Sequence, residues 1–233
     1  MDVQVSYVDA DGVERSAPVE NVGGVFFENA IPVRSFPSFK GQRNYPGFWW
    51  SASSARHVGF ESWLERDTAM MLDFDPQIVA FSSQPFWMSW RDEGRRSHAP
   101  DWFARLSDGT GLVVDCRPPG RAGPRDEAAF EMTARVCEYL GWRFRLVREI
   151  DPVQRANVRW LSCYRHPRHL VDLAACRLVE VFAEPTPLLA GAGLAGDPLA
   201  VLPVLFHLLW TGVLTTDLSR LLSERSLVVT AGS

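Results

Sequence analysis

One stretch constrains the fold more than any other. His98–Leu106 and Leu112–Arg117 both have strand character, and between them lies Ser107-Asp108-Gly109-Thr110-Gly111, a tight-turn sequence. Strands joined this closely pair antiparallel. With the turn centred near Gly109, Leu106 faces Leu112. Side chains alternate along a strand, so Asp115 and Arg117 share a face. Any pairing of the same parity puts Asp101 on that face as well, within a residue or two of Asp115. Directly opposed Cβ atoms are roughly 4.5–5.5 Å apart. Two carboxylates so placed repel unless a divalent cation lies between them. The plainer alternative is a pair of solvated acids beside a turn.

A third acid comes from the helix read over Phe60–Asp73. At about 100° per residue, Ser62, Arg66, Ala69 and Asp73 form its narrow polar stripe, with Phe60, Leu64 and Met71 opposite. Glu65 lies off that stripe and points toward the sheet. Glu61 shares its flank and Asp67 lies on the other, so periodicity leaves the choice among the three open. Three inward carboxylates and one cation suit Mg²⁺, with Mn²⁺ as a substitute, because a hard cation takes oxygen ligands. Such an ion polarises a phosphodiester and activates a water.

Around this centre the chain reads as α/β. Residues 3–8 alternate and meet the turn sequence Asp9-Ala10-Asp11-Gly12, so a short hairpin opens it. The Pro-, Gly- and aromatic-rich text from Asn29 to Gly59 reads as an extended wrapping arm, with Phe36, Phe39, Phe48, Trp49 and Trp50 seeking burial. Strands follow at Ile78–Phe81 and Phe86–Trp90. Beyond the central hairpin come a helix over 126–140 ended by Gly141, a strand over 143–148, and a helix over 152–164 capped by Asp151. After His166-Pro167 the chain turns Leu- and Ala-rich, with helices near 168–183 and 198–211 and a two-stranded wing over 215–229. Gly191-Ala192-Gly193 reads as a loop. The expected organisation is an arm over 1–57, a central domain over 58–166 and a winged-helix-like domain over 167–233.

Charge supports an acid centre beside a cationic surface. The net charge of −4 is uneven: residues 61–116 carry −5 and residues 117–170 carry +5. A carboxylate-rich stretch followed by an arginine-rich one fits a metal-dependent enzyme acting on a polyanion. Arg121 and Arg125, in the loop after the second acid strand, are the candidate DNA contacts. Of the 24 Lys and Arg, 23 are arginine and Lys40 is the one lysine. The four cysteines have no disulfide or CxxC spacing, as in a reducing cytoplasm of bacterial type. Leu199–Leu214, interrupted by Pro203 and His207, falls short of a bilayer span and reads as a core helix. Cys163, His166 and His169 lack the fourth ligand that zinc requires. His98 reads as a strand-edge histidine, with a DNA phosphate contact as its alternative.

Glu, then Pro-Asp, then Asp-x-Arg on a strand resembles the PD-(D/E)xK nuclease motif. The surrounding text, FESWLERDTAMMLDFDPQIVAFSSQPF, HAPDWFARLSDGTGLVVDCRP and NVRWLSCYRHP, resembles the TnsA-like endonuclease subunits of heteromeric transposases across roughly 58–166. A looser likeness continues over LAVLPVLFHLLWTGVLTTDLSRLL. The resemblance implies a restriction-endonuclease-like core, a mixed central sheet flanked by helices, with a winged-helix-like C-terminal part. It implies nicking of double-stranded DNA at the 5′ ends of an element, beside a recombinase-type transposase subunit and an ATPase regulator. Residue by residue, it implies Glu65, Asp101 and Asp115 as Mg²⁺ ligands and catalytic residues, with Arg117 where the family has lysine. A guanidinium makes bidentate contacts to phosphate but does not deprotonate. That departure admits a second reading, a catalytically inert nuclease-fold subunit for DNA binding, assembly or regulation. In it, Arg117 bridges Asp101 or Asp115 and fills an empty metal site.

Overall fold

The computed structural model describes residues 1–35, 45–92 and 94–232. Phe36, Phe39 and Lys40 lie outside the described residues. The chain divides into two compact units, Met1–Glu149 and Ile150–Ser233. The expected boundaries at 57 and 166 are not where it divides. The opening hairpin pairs into a sheet of the first unit, and the helix expected over 152–164 packs in the second.

In the first unit the elements are β1 (Val3–Val8), β2 (Glu14–Pro18), β3 (Gly47–Ser51), β4 (Arg56–Phe60), α1 (Trp63–Phe74), β5 (Ile78–Ser83), β6 (Trp87–Arg91), β7 (Arg95–His98), β8 (Trp102–Leu106), β9 (Gly111–Cys116), α2 (Pro124–Leu140) and β10 (Arg143–Val147). One sheet has the order β2-β1-β6-β7 and is antiparallel throughout. The other has the order β10-β9-β8-β5; β10 runs parallel to β9 and the remaining pairs are antiparallel. β3 and β4 form a separate hairpin.

Both faces of the β8–β9 pair are covered, so these strands are apolar almost throughout. Phe103 and Val113 face a cluster with Val3, Phe27, Phe86 and Trp142. Trp102, Ala104, Leu112 and Val114 face one with Phe60, Leu72 and Phe81. The β8–β9 turn has Gly109 at φ +85°, a left-handed conformation natural to glycine, and Leu106 exchanges hydrogen bonds with Thr110 and Gly109 across it. Ala104, not Leu106, faces Leu112. The partner of each residue is shifted by two positions, with the hairpin centred at Asp108 rather than Gly109. Its parity is unchanged, so the shared face of Asp101 and Asp115 survives.

The expected single strand over His98–Leu106 is two. Pro100 has no N–H to give a ladder, and across Ala99–Asp101 the chain leaves the first sheet for the second. Residues 47–60, expected as part of an extended arm, form the β3–β4 hairpin, in which Phe48 stays 67% exposed. Phe60 belongs to β4, and α1 begins after Ser62, whose hydroxyl accepts from the Glu65 N–H (3.2 Å). The expected polar stripe of α1 is also corrected. Ala69 and Asp73 are buried because the β3–β4 hairpin covers that side.

In the second unit the elements are α3 (Pro152–Ser162), α4 (Asp172–Val181), β11 (Thr186–Pro187), α5 (Leu188–Ala195), α6 (Pro198–Trp210), β12 (Leu214–Thr216) and β13 (Leu227–Thr230). The strands form a small antiparallel sheet, β11-β13-β12. Asp151 caps α3 by accepting from the Val153 and Gln154 N–H groups (2.9 and 2.8 Å), and Asp197 caps α6 at Leu199 (3.1 Å). The loop expected at Gly191–Gly193 is inside α5. A Cβ at Gly191 would lie 2.3 Å from the Phe182 ring, so this glycine serves close packing rather than a turn. Among the described residues no single helix is long and apolar enough to cross a membrane.

Candidate active site

The switch between sheets at Ala99–Asp101, the end of β9 and the start of α1 enclose a cavity of about 520 Å³ in the first unit. Glu65, Asp101, Asp115 and Arg117 all line it, and so do Glu61 and His98. The four residues singled out from sequence are thus brought together. Arg121 and Arg125 are not in the lining.

β8 and β9 place the two aspartates reciprocally. The Asp101 N–H donates to Asp115 Oδ1 (3.3 Å), and the Cys116 N–H donates to Asp101 Oδ2 (2.7 Å). Asp115 is buried, 1% exposed. Burial, followed by the nearby Glu65 and Asp115 carboxylates, pushes the Asp101 carboxyl well above the usual carboxylate range. Desolvation raises Glu65 as well, although the Glu61 N–H and the Ser62 hydroxyl oppose it. Like charges gathered where water is scarce make the cavity a place that favours protons or a cation.

Each carboxylate also has a protein partner. Glu65 turns back on the helix start, where Oε2 accepts from the Glu61 N–H and Oε1 from the Ser62 hydroxyl, both at 2.7 Å. Glu61, its rival on the same flank, is ion-paired with Arg34 and accepts from Gln84 Nε2 (3.2 Å). Both oxygens of Glu65 are thus engaged, whereas these contacts of Glu61 fall on Oε2 alone, so the protein contacts do not single out Glu65 over Glu61. Asp67 is buried and paired with Arg66. Burial holds the Cys116 thiol well above its ordinary pKa, and its sulfur contacts the Thr68 hydroxyl (3.3 Å).

His98 is the largest addition to the sequence reading. Its Nε2 lies 3.0 and 3.1 Å from the two oxygens of Asp115. An ionised carboxylate only accepts, so the ring donates from Nε2. His98 is, as expected, a strand-edge histidine, the last residue of the edge strand β7, and the contact with Asp115 is what the sequence reading did not include. Gln84 was also missed. Its N–H donates to the Asp101 carbonyl (2.9 Å), its φ is +44°, and its Oε1 is buried without a hydrogen-bond partner. A left-handed conformation costs a residue with a side chain about 1 kcal/mol or more. Nothing in the local sequence signals it.

Comparison of the sequence with models of known protein families returns no match, and comparison with curated proteins returns none.

Arg117 does not bridge Asp101 or Asp115. Its guanidinium pairs with Asp126 in the first turn of α2, while Asp126 Oδ2 accepts from the Gly123 N–H (2.9 Å). Arg117 Nε is buried and has no hydrogen-bond partner among the described residues. Among the described residues no three His, Cys, Asp or Glu side chains gather as a metal-holding group, because Glu65 caps its helix and Asp115 faces His98. The donor chemistry nevertheless fits a hard divalent cation. The ligand atoms are carboxylate oxygens, and the excess negative charge around Asp101 is what such an ion relieves.

Proposed function

We propose that this chain is a metal-dependent DNA endonuclease subunit of a heteromeric transposase, built on a restriction-endonuclease-like core and nicking the 5′ ends of the element. One observation carries the reading: Asp101 and Asp115, fixed reciprocally by the β8–β9 register, share a cavity with Glu65, and burial, followed by the Glu65 and Asp115 charges, drives Asp101 up in pKa. Glu65, Asp101 and Asp115 hold Mg²⁺, or Mn²⁺ in its place. The ion, once bound, supplies Lewis-acid polarisation of the phosphodiester and a more acidic water. His98 orients Asp115 through Nε2. Arg117, on the same face of β9 as Asp115, adds positive charge for the phosphate as negative charge builds on it. The second unit, winged-helix-like in its helices and small sheet, docks DNA, the recombinase-type subunit or an ATPase regulator, in a bacterial cytoplasm.

The test is nicking of end-labelled duplex DNA with Mg²⁺ or Mn²⁺, with and without the recombinase partner. Cleavage that persists equally in Asp115→Ala removes the site from the proposal.

A second reading is favoured by the Arg117–Asp126 pair, which ties the motif cation to α2. In it the chain is an inert nuclease-fold subunit that binds DNA, assembles the complex or regulates it. It predicts no heat of Mg²⁺ binding in calorimetry and no nicking by Arg117→Lys.

A further inference from the structure

A second cavity, of about 390 Å³, lies in the same unit and is lined by Trp90, Arg95, Arg96, Ser97, Arg125 and Ala128, with Gly94 and Ala129 completing it. Ser97 lines both this cavity and the acidic one, so the two adjoin. Among the described residues the lining has three arginines and no carboxylate. Arg15, Arg34 and Arg105 of the same unit each hold a carboxylate. Among the described residues, Arg95, Arg96 and Arg125 hold none.

The β6–β7 hairpin also sets Arg91 directly opposite Arg95 and Trp90 opposite Arg96. Like charges placed directly opposite destabilise a sheet pair. The fold keeps three arginines on this short hairpin, Arg91, Arg95 and Arg96, and brings a fourth, Arg125, from the first turn of α2. Arg91 is outside this lining, but Arg95, Arg96 and Arg125 share it, and an anion held there relieves their mutual repulsion. Arginine's planar fork matches phosphate oxygens, and the apolar floor of Trp90 keeps the site from being a fully hydrated surface.

The position specifies the anion. Arg96 and His98 are two residues apart on β7 and share a face, and His98 meets Asp115. A phosphate held at Arg96 is therefore displaced along the strand by about 7 Å from the one presented to the acids. A linear polyanion with regularly spaced phosphates satisfies both places at once.

We propose that this arginine cavity grips the DNA backbone at a phosphodiester beside the scissile one and feeds the strand past Ser97 into the acidic cavity. The inference rests on the nuclease reading and adds its backbone track. Arg121, which is outside both linings, has no part in it.

The experiment is fluorescence anisotropy of a labelled duplex in EDTA over a range of NaCl, with the full chain. It compares wild type, a variant carrying Arg95→Gln, Arg96→Gln and Arg125→Gln, and Arg15→Gln as a charge-loss control on a remote hairpin. Each phosphate contact contributes about −0.9 to the slope of log K against log salt, so the triple variant flattens it by about 2 to 3. Its affinity falls at least about tenfold, while Arg15→Gln matches wild type. A triple variant with the wild-type slope overturns the cavity, even where wild type nicks DNA and the nuclease reading stands. Selective loss of binding with no nicking by wild type supports the track and overturns the catalytic assignment alone. A wild type that shows no salt-dependent duplex binding overturns both.

Discussion

The two ends of α1 bury carboxylates under opposite conditions. Near its C-terminal end Asp73, 7% exposed, is saturated with donors. Oδ2 accepts from Trp49 Nε1 and the Ala52 N–H, and Oδ1 from the Ser51 hydroxyl and the Ser53 N–H, all within 3.0 Å. Near its N-terminal end Glu65, Asp101 and Asp115 crowd together, and Asp101 is driven up in pKa by burial and by its neighbours' charge. The first arrangement stabilises an anion with dipoles already in place. The second leaves an electrostatic deficit that a cation can fill. Buried acids are therefore not alike: counting their donors separates one that holds the fold from one that is held by it.

The contrast predicts opposite phenotypes. The largest effect belongs to Asp115→Ala, for which nicking in Mg²⁺ falls about a thousandfold, or about 4 kcal/mol of barrier. Its melting temperature falls less than that of Asp73→Ala, because two donors, the Asp101 N–H and His98 Nε2, are stranded instead of four while a crowded charge is relieved. Asp73→Ala does the reverse. It strands four donors at the β3–β4 hairpin and costs about 3 kcal/mol, seen as a melting temperature lower by about 6–12 °C for a unit of this size. Duplex binding persists below that temperature. Equal thermal losses in the two variants break the comparison.

The parts legible in sequence were those set by short-range periodicity. Alternation along the hairpin fixed the face shared by Asp101, Asp115 and Arg117, and a register shifted by two positions kept it because only parity matters. Caps at Asp151 and Asp197 were equally local. The parts that failed depended on what covers a face. Helical spacing grouped Asp73 with Arg66 as a polar stripe but held no information about the hairpin that lies over it. His98 was hidden because its contact follows from the chain changing sheets at Pro100. Arg117 has a partner on α2 that no strand pattern indicates. Gly191 and Gly193 looked like a loop because glycine disfavours helices, whereas the packing of Phe182 against Gly191 requires one.

Asp101 sharpens the comparison through pH. A carboxyl whose folded pKa lies above its unfolded value, about 4, binds more protons folded than unfolded. Its contribution to stability is complete below the unfolded value and is lost as pH rises through the folded one. Asp101→Asn keeps an oxygen for the Cys116 N–H and removes the charge. Its melting temperature is therefore expected above that of wild type at pH 7 to 8, with the difference closing toward pH 4. Mg²⁺ raises the wild-type value more than the variant's, because a ligand that binds only the folded state stabilises it. A variant that melts below wild type at neutral pH places Asp101 with Asp73, among the carboxylates that hold the fold.

The smallest thermal effect belongs to Arg117→Lys. The Arg117 and Asp126 side chains are 38% and 31% exposed, so solvent screens the pair and its loss costs no more than about 1 kcal/mol. Asp126 still accepts from the Gly123 N–H and keeps the first turn of α2 closed. Lysine has no fork with which to hold α2, and its single ammonium is free to swing into the cavity, where it adds an ionisable amine beside Asp101 and Asp115. Nicking is expected to rise severalfold in a time course with Mg²⁺ at saturating DNA. If the variant melts as expected but stays at background, the cavity lacks more than an amine, and the inert reading takes the place of the catalytic one.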